Sequence, residues 1–478
     1  MTPRIFILIL ALMTSAIGQT YKPSREKAPL MPKEFRAAWV ATVHNIDWPS
    51  KAGLSASAQQ AEMRRILDKM AAMKMNAIIL QVRPNADALY RSRLEPWSQW
   101  LTGTMGKDPG YDPLAYAIQQ AHARGIEVHA WFNPFRALCN VSHRASSNHI
   151  TKTSPSLTKR YKQYVWLDPS KSAVRKRALD VIADVVRRYD IDGVHIDDYF
   201  YPYPDVKNGQ VTRPFPDGLS PAKRRGYVDN YVKDMYRTVK GIKPWVRVGI
   251  SPFGIWKPGV PAGIEAGIDA HEHLSADSRK WLASSWCDYL APQLYWRIQP
   301  KKQSYTLLLD WWRKQGKRPV WPGIATSRIN STADPGRPAS EIVNQVSYSR
   351  SIGRNYVGHI HWSVKALMEN RGGISSQLSK NMYTTPALVP PMPWLSKKKV
   401  DAPSISAKGS GGNVSLSWRS VKGAAKYGVQ ARYNGKWVAI KVVPAGTNKL
   451  TIKGSPELIA IVGVDRYGTE GDQAVVQR

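Results

Sequence analysis

The sequence predicts a (β/α)8 TIM-type barrel followed by a small all-β sandwich. Three observations carry this expectation. Eight short apolar runs alternate with amphipathic helical stretches between residues 34 and 383. The far ends of those runs are polar and aromatic while their starts are apolar, the asymmetry of a barrel with chemistry at one mouth. Beyond a Pro- and Lys-rich stretch at 384–403, short alternating segments with Gly-rich turns take over through 404–478. A chain of 478 residues exceeds one ordinary domain, so a barrel plus one module is the expected division.

Residues 1–18 carry one charge, Arg4, then the apolar run Ile5 to Met13 and the small-residue ending Ala16-Ile17-Gly18. This is the layout of a cleaved secretory signal peptide, with an apolar stretch too short to span a bilayer. Cleavage is expected after Gly18, and Gln19 in place of Cys removes the usual bacterial lipid attachment. No later stretch reads as transmembrane, so the expected location is periplasmic or extracellular, with wall or envelope-surface association open.

Residues 19–33 are polar and read as a leader to the fold. Strands are expected at Phe35 to Ala41, Asn76 to Val82, Glu127 to Phe132, Gly193 to Asp197, Val246 to Ser251, Tyr289 to Tyr295, Val320 to Ala325 and Gly358 to His361. Helices fall between them, among them Ser57 to Lys74, Pro113 to Arg124, Lys171 to Tyr189 and Ala339 to Ser349. Strand, helix, strand repetition implies parallel strands with right-handed crossovers, and eight units can close. A doubly wound open sheet is the alternative, but no glycine-rich phosphate loop follows the first strand. Pro386, Pro390, Pro391 and Pro393 with Lys397 to Lys399 give 384–403 the composition of a linker.

Alternate strand residues face the lumen, so polar residues at strand ends are candidates for substrate contact. Gln81 and Arg83 share a face by this alternation, followed by Asn85 and Asp87; His129, Trp131 and Asn133 align on the third strand, with Arg136 beyond. The fourth ends His195, Asp197, Asp198, and later ends bring Ser251, Gln293, Tyr295, Trp296, His361 and Trp362. Each has an ordinary reading as well. His129 and His361 suit buried, satisfied imidazoles, and Arg83 and Arg136 suit structural ion pairs as much as a bidentate grip on a substrate carboxylate. Tyr199, Tyr201 and Tyr203 either pack their loop or form a stiff aromatic lip.

Carboxylates are costly to bury without a partner or purpose, which singles out Asp197 and Asp198. Alternation points Asp197 over the lumen, as catalytic carboxylate, and leaves Asp198 as a second candidate, an orienting group or a helix-capping anchor. Glycoside hydrolysis normally uses two carboxyl groups. Glu272 is the preferred acid because it immediately precedes the next helix; Glu265 is the runner-up, Asp87 a further candidate, and Asp269 and Asp277 lie nearby.

The formal charge is +34, of which cleavage of the leader would remove only Arg4. Such a balance suits polyanionic partners, or serves solubility alone. The basic residues are spread along the chain without a nucleic-acid motif, so no nucleic acid is expected. Eighteen Trp against seven Phe fits sugar faces, which present CH groups beside hydroxyls, though many of these rings will be core. Cys139 and Cys287 are too few for a Cys-based metal site; one bridge or two separate thiols remain open. No cofactor is expected.

Val414-Ser-Leu-Ser-Trp418 and Val464-Asp-Arg-Tyr-Gly468 resemble a fibronectin type III module. Seven longer motifs, in order, are Trp39-Val-Ala-Thr-Val-His-Asn-Ile-Asp-Trp-Pro-Ser50, Pro96-Trp-Ser-Gln-Trp-Leu-Thr-Gly103, Asp108-Pro-Gly-Tyr-Asp-Pro-Leu114, His129-Ala-Trp-Phe-Asn-Pro-Phe-Arg136, Gly193-Val-His-Ile-Asp-Asp-Tyr-Phe-Tyr-Pro-Tyr-Pro204, Ser251-Pro-Phe-Gly-Ile-Trp256 and Ala291-Pro-Gln-Leu-Tyr-Trp296. Over about Glu34 to Leu367 they resemble the glycosyl-hydrolase-like ten family. The resemblance implies a barrel related to α-amylase-like glycosidases, acting on peptidoglycan glycan strands stripped of their peptides. It also implies a nucleophilic Asp at the end of the fourth strand, matched by Asp197, and a Glu acid after the fifth that no motif fixes here; Glu272 stands where such an acid is often found. Phe135 in place of a common Tyr, and a shortened loop after Trp256, depart from the pattern.

The expected function is therefore an exported glycosidase cleaving β-1,4 bonds of peptidoglycan glycan, whose stripped strands are polyanionic. A metal-dependent deacetylase or amidohydrolase using His129, His195 and Asp197 is one alternative. A non-catalytic wall-glycan-binding protein is the other.

Overall fold

A computed structural model describes residues 19–353 and 356–478; the expected signal peptide, 1–18, lies outside the described residues. The eight expected barrel strands are present as β1 (Phe35–Val40), β2 (Ala77–Arg83), β3 (Glu127–Phe132), β4 (Gly193–Ile196), β5 (Arg247–Ile250), β6 (Tyr289–Leu290), β7 (Gly323–Ile324) and β8 (Gly358–His361). They form one parallel sheet ordered β6-β5-β4-β3-β2-β1-β8-β7. Parallel bridges Leu290 to Val320 and Gln293 to Gly323 join its two ends, which closes the barrel. The principal helices are α1 (Ala56–Ala72), α2 (Pro113–His122), α3 (Ser172–Arg188), α4 (Pro221–Ile242), α5 (Ser278–Ala283), α6 (Tyr305–Arg313), α7 (Ala339–Gly353) and α8 (Val364–Met368). Their starts follow local rules: Ser55, Asp112 and Ser220 each accept a backbone N–H of the first turn, and Pro113 and Pro221 occupy first-turn positions where no donor is needed.

The lumen is filled by rings, which accounts for part of the Trp excess. Phe35, Trp39, Trp131, Tyr289 and Trp321 form its cluster with Ala37, Ala41, Ala77 and Ala291. Small residues on neighbouring strands make the room: a Cβ at Gly249 would lie 2.0 Å from the Tyr289 ring, and one at Gly193 2.6 Å from the His129 ring. Alternate residues such as Val128, Ala130, Val194 and Ile196 instead join the larger core beneath the helices, with Val174, Val181 and Val185 of α3.

The C-terminal region is built of antiparallel sheets. One contains Ile405–Ser410, Asn413–Trp418 and Lys449–Lys453; the other contains Lys436–Pro444, Lys426–Tyr433, Leu458–Val464 and Glu470–Gln477. The leader is not loose: Gln19–Thr20 adds an edge to the first sheet and Lys22–Ser24 to the second. Nor is the Pro-rich stretch a free tether, since Ala387, Leu388, Val389 and Met392 are buried. These sheets dock on the barrel underside, where strands begin, through Lys426 to Glu127 at 2.9 Å and Arg466 to Asp190 at 2.5 Å. A cavity of about 390 Å³ lies in this joint, lined by Trp245, Arg247, Lys426 and Arg466 among others, at the end remote from Asp197.

Candidate active site

Asp197 and Asp198 follow β4 directly and are both buried, 4 % and 5 % exposed. Their surroundings diverge. Asp197 Oδ2 accepts from Trp131 Nε1 at 3.2 Å and from Asn133 Nδ2, and its Oδ1 accepts from the Tyr199 amide at 3.3 Å. Asp198 Oδ2 accepts from the Tyr203 hydroxyl, and Oδ1 from Gln293 Nε2 at 2.8 Å. Asn133 is itself oriented: its Oδ1 accepts from Gln81 Nε2 at 2.6 Å and from Arg136 at 2.9 Å, which turns its amide donor toward Asp197. Gln81 in turn accepts from the Thr42 and Val43 amides.

Burial and the neighbouring Asp198 charge push Asp197 up to about 7. Burial also raises Asp198, against the opposing hydrogen bonds from Tyr203 and Gln293 and the charge of Arg136. The charge of Asp198 acts on Asp197, so the two carboxyls do not titrate independently. That environment suits Asp197 to proton donation more than to the expected role of nucleophile.

Rings surround the pair. Trp39 and Trp131 meet Trp362 edge-on at 6.0 and 6.1 Å, and Tyr295 stacks on Trp362 at 6.4 Å. A second row, Tyr199, Tyr203, Phe253 and Trp296, runs along the Asp198 side with successive centroids 5.7, 6.4 and 5.7 Å apart, and all four are part-exposed. Arg136 lies 5.0 Å over the Tyr199 ring.

Below the pair, a hydrogen-bonded column crosses the lumen. Trp39 Nε1 can only donate, and it meets His195 Nε2 at 3.2 Å, where Ser251 also stands at 3.0 Å. Burial keeps His195 neutral, so its proton is on Nδ1, donated to the Tyr289 hydroxyl at 3.0 Å. Tyr289 then donates to His129 Nδ1 at 2.9 Å, and His129 Nε2 faces Glu127 at 3.4 Å. Glu127 is held well below the usual carboxylate range because Lys426 and the His129 hydrogen bond outweigh its burial.

Of the expected substrate contacts, Trp131, Asn133, Arg136, Tyr199, Gln293, Tyr295, Trp296 and Trp362 gather at the mouth. Others do not. A bulge between Gln81 and Arg83 sets Arg83 opposite Phe132, so Arg83 leaves the lumen face and pairs with buried Glu95 at 2.5 Å. Asn85 and Asp87 are fully buried: Asn85 donates to Cys139 at 3.5 Å and its amide N–H to Asp87 at 2.8 Å. Burial raises Asp87 to about 6, but nothing brings it to the pair. His129 and His195 belong to the column. His361 faces outward, bonded to Thr326 and Tyr383 at 2.7 and 2.9 Å, because Ile360 and Trp362 take the lumen parity. Tyr201 is core, packed on Phe215, and it is Tyr203 that reaches Asp198.

Glu272 is the main correction. It pairs with Arg225 at 2.8 Å and His271 at 2.7 Å; partial burial pushes its carboxyl up, but these partners outweigh that and lower it, the wrong direction for an acid. Glu265 pairs with Lys302 on the surface, while Asp269 and Asp277 cap the short helices that follow. Sequence reasoning does not single out Trp39, Phe253 and Tyr289 as site residues, and offers Tyr203 only as part of an aromatic lip, not as a partner of Asp198. For Trp39 the signal was its parity with Phe35 and Ala37 along β1; Tyr289 begins its strand, and a strand start carries no such signal. Cys139 and Cys287 are separate, buried thiols.

A model of the glycosyl hydrolase-like 10 family matches residues 34–337. Among relatives, the chain is 41% identical over 393 residues to glycosyl hydrolase YngK of Bacillus subtilis (strain 168), covering 78% of this chain and 76% of the relative. It is 31% identical over 339 residues to glycosyl hydrolase DigH of Escherichia coli (strain K12), covering 64% of this chain and 77% of the relative. A solved structure of the PgaB (BpsB) glycoside hydrolase domain from Bordetella bronchiseptica superposes with a TM-score of 0.48 at 12% identity, over 73% of this chain and 98% of that one.

Proposed function

As this chain belongs to the glycosyl hydrolase-like 10 family, we propose that it hydrolyses β-1,4 bonds in peptidoglycan glycan strands from which the peptides have been removed. The observation that carries the reading is the buried Asp197–Asp198 pair, its carboxyls raised by burial, within a cleft walled by part-exposed Tyr and Trp rings. Asp197 protonates the leaving oxygen, and Asp198 stays a carboxylate, held by Tyr203 and Gln293. Stripped strands expose one lactyl carboxylate per muramic acid, which fits a chain of formal charge +34 and Arg136 at the mouth. Export through a cleaved leader would put enzyme and glycan together. The C-terminal sheets, three strands facing four, support reading 404–478 as a fibronectin type III-like module.

The test is digestion of purified, amidase-stripped sacculi. Soluble, reducing glycan fragments are expected from the wild type and none from Asp197→Asn. Intact chains after long incubation with folded wild-type protein overturn the reading, and retention on the strands without cleavage, unchanged in Asp197→Asn, points to a glycan-binding protein instead. The deacetylase alternative loses its ligand set on geometry, because His129 and His195 spend their ring nitrogens on Tyr289, Glu127, Trp39 and Ser251.

A further inference from the structure

The pair at the mouth consists of consecutive residues at one strand end. A glycosidase that displaces with its own carboxylate needs one group at the leaving oxygen and another on the opposite face of the anomeric carbon. Asp197 and Asp198 leave the end of β4 together, so they approach a bound sugar from one flank. The other acidic side chains of the mouth loops are engaged elsewhere: Asp47 accepts from Ser363, Ala41 and Lys365, Asp87 is buried under Asn85, and Glu272 is paired with Arg225 and His271. The rest of the wall is aromatic: Trp131, bonded to Asp197, and Trp39 meet Trp362 edge-on, and Tyr295 stacks on Trp362. Tyr295 is part-exposed, its hydroxyl has no hydrogen-bond partner among the described residues, and it lies near enough to feel both carboxylates.

We infer that the nucleophile is supplied by the substrate: the 2-acetamido group of the sugar whose bond is cut closes on its own anomeric carbon, directed by Asp198 and Tyr295, while Asp197 protonates the leaving oxygen. This rests on the proposed glycan substrate, in which both sugars of the repeat carry a 2-acetamido group. In a β-linked sugar with an equatorial 2-acetamido group, the carbonyl oxygen can reach the face opposite the leaving group, and the link is intramolecular, which removes the entropy cost of bringing in a second reactant. The carbonyl oxygen forms a bond to C1 as the C1–O bond to the leaving sugar breaks. The departing glycosidic oxygen takes the proton of Asp197. The resulting oxazolinium keeps its N–H, which the Asp198 carboxylate accepts as a hydrogen bond. Water then adds to C1 and gives a proton to Asp197; the C1–O bond to the acetamido oxygen breaks, and the acetamide and both carboxyl groups are restored with the anomeric configuration retained. The aromatic flank shelters the acetamido methyl and excludes competing water, and the Tyr295 hydroxyl donates to the carbonyl oxygen to hold it over C1.

The experiment is digestion of amidase-stripped strands by the full-length protein, with the first-formed anomer read by proton NMR. It is paired with inhibition by the thiazoline made from the strand disaccharide, and with digestion of strands chemically de-N-acetylated. Expected are the β-anomer first, inhibition by the thiazoline at about a hundredfold or more below the KM for strands, and no cleavage of de-N-acetylated strands. An α-anomer first, full cleavage of de-N-acetylated strands, or a 2-fluoro sugar trapped as an ester on Asp197 or Asp198 overturns the inference and leaves the substrate reading standing. Failure to cut acetylated strands overturns both. Tyr295→Phe, checked by circular dichroism, is expected to lower kcat on strands with little change in KM; an unchanged kcat removes Tyr295 from the step.

Discussion

At the residue scale the protonation of Asp197 has the widest consequences. Its carboxyl is raised to about 7 by burial and by Asp198, whereas in the unfolded chain it titrates near ~3.9. The folded protein therefore binds the extra proton between those values, and this group's contribution to stability falls as pH rises from about 4 to about 7. Asp197→Asn is expected to raise the unfolding free energy at pH 8 by on the order of 2–4 kcal/mol while abolishing hydrolysis, measured by urea melts at pH 4 and pH 8; an equal effect at both pH values contradicts the shifted titration. With Asp197 in its proposed role as proton donor, kcat is expected to decline as pH rises through about 7. Asp198→Asn removes the second cause of the shift, so the Asp197 carboxyl signal in carbon-13 NMR should titrate at lower pH.

At the element scale the barrel depends on small residues facing large ones. Gly249 on β5 sits where any side chain would collide with Tyr289, the hydroxyl that joins His195 to His129. Gly249→Ala is expected to lose at least about 2 kcal/mol of stability, by overpacking a closed lumen, and to lower kcat through His195 and Trp39 beneath the Asp197–Asp198 pair. Denaturant melts and steady-state kinetics on stripped strands check it. The bulge on β2 makes a second case. By turning Arg83 away from the lumen it commits the guanidinium to Glu95, so Arg83→Met leaves that buried carboxylate with only Arg177 at 3.8 Å and should cost about 3–5 kcal/mol with KM unchanged. A raised KM with normal stability would return Arg83 to the substrate.

At the scale of the whole molecule, the mouth that holds Asp197 and the C-terminal sheets occupy opposite ends of the barrel. Lys426 and Arg466 bind the strand-start side, and the leader strands Lys22–Ser24 and Gln19–Thr20 tie the N-terminus into the same sheets. The sheets therefore do not line the cleft; Lys426 meets the foot of the lumen column at Glu127. The large positive charge acts over the entire surface, so KM for stripped, anionic strands should rise severalfold between about 50 and 300 mM salt, while KM for a neutral chitin oligosaccharide changes little. Equal salt responses would show that the charge serves something other than substrate capture.

The sequence by itself determined the eight strands, their parallel order and the position of Asp197 over the lumen. Each depends on local period and alternation, which a chain carries along its own length. The choice among carboxylates and cations was decided only by tertiary structure. Glu272 met Arg225 across 47 residues of sequence, Arg83 met Glu95 and Tyr203 met Asp198 through loops whose path strand alternation does not give, and one bulge reversed a parity that alternation alone reads wrongly. Asp197 and Asp198 are adjacent letters in the sequence; that both carboxyls are raised depends on burial by other strands, which outweighs the hydrogen bonds those strands donate.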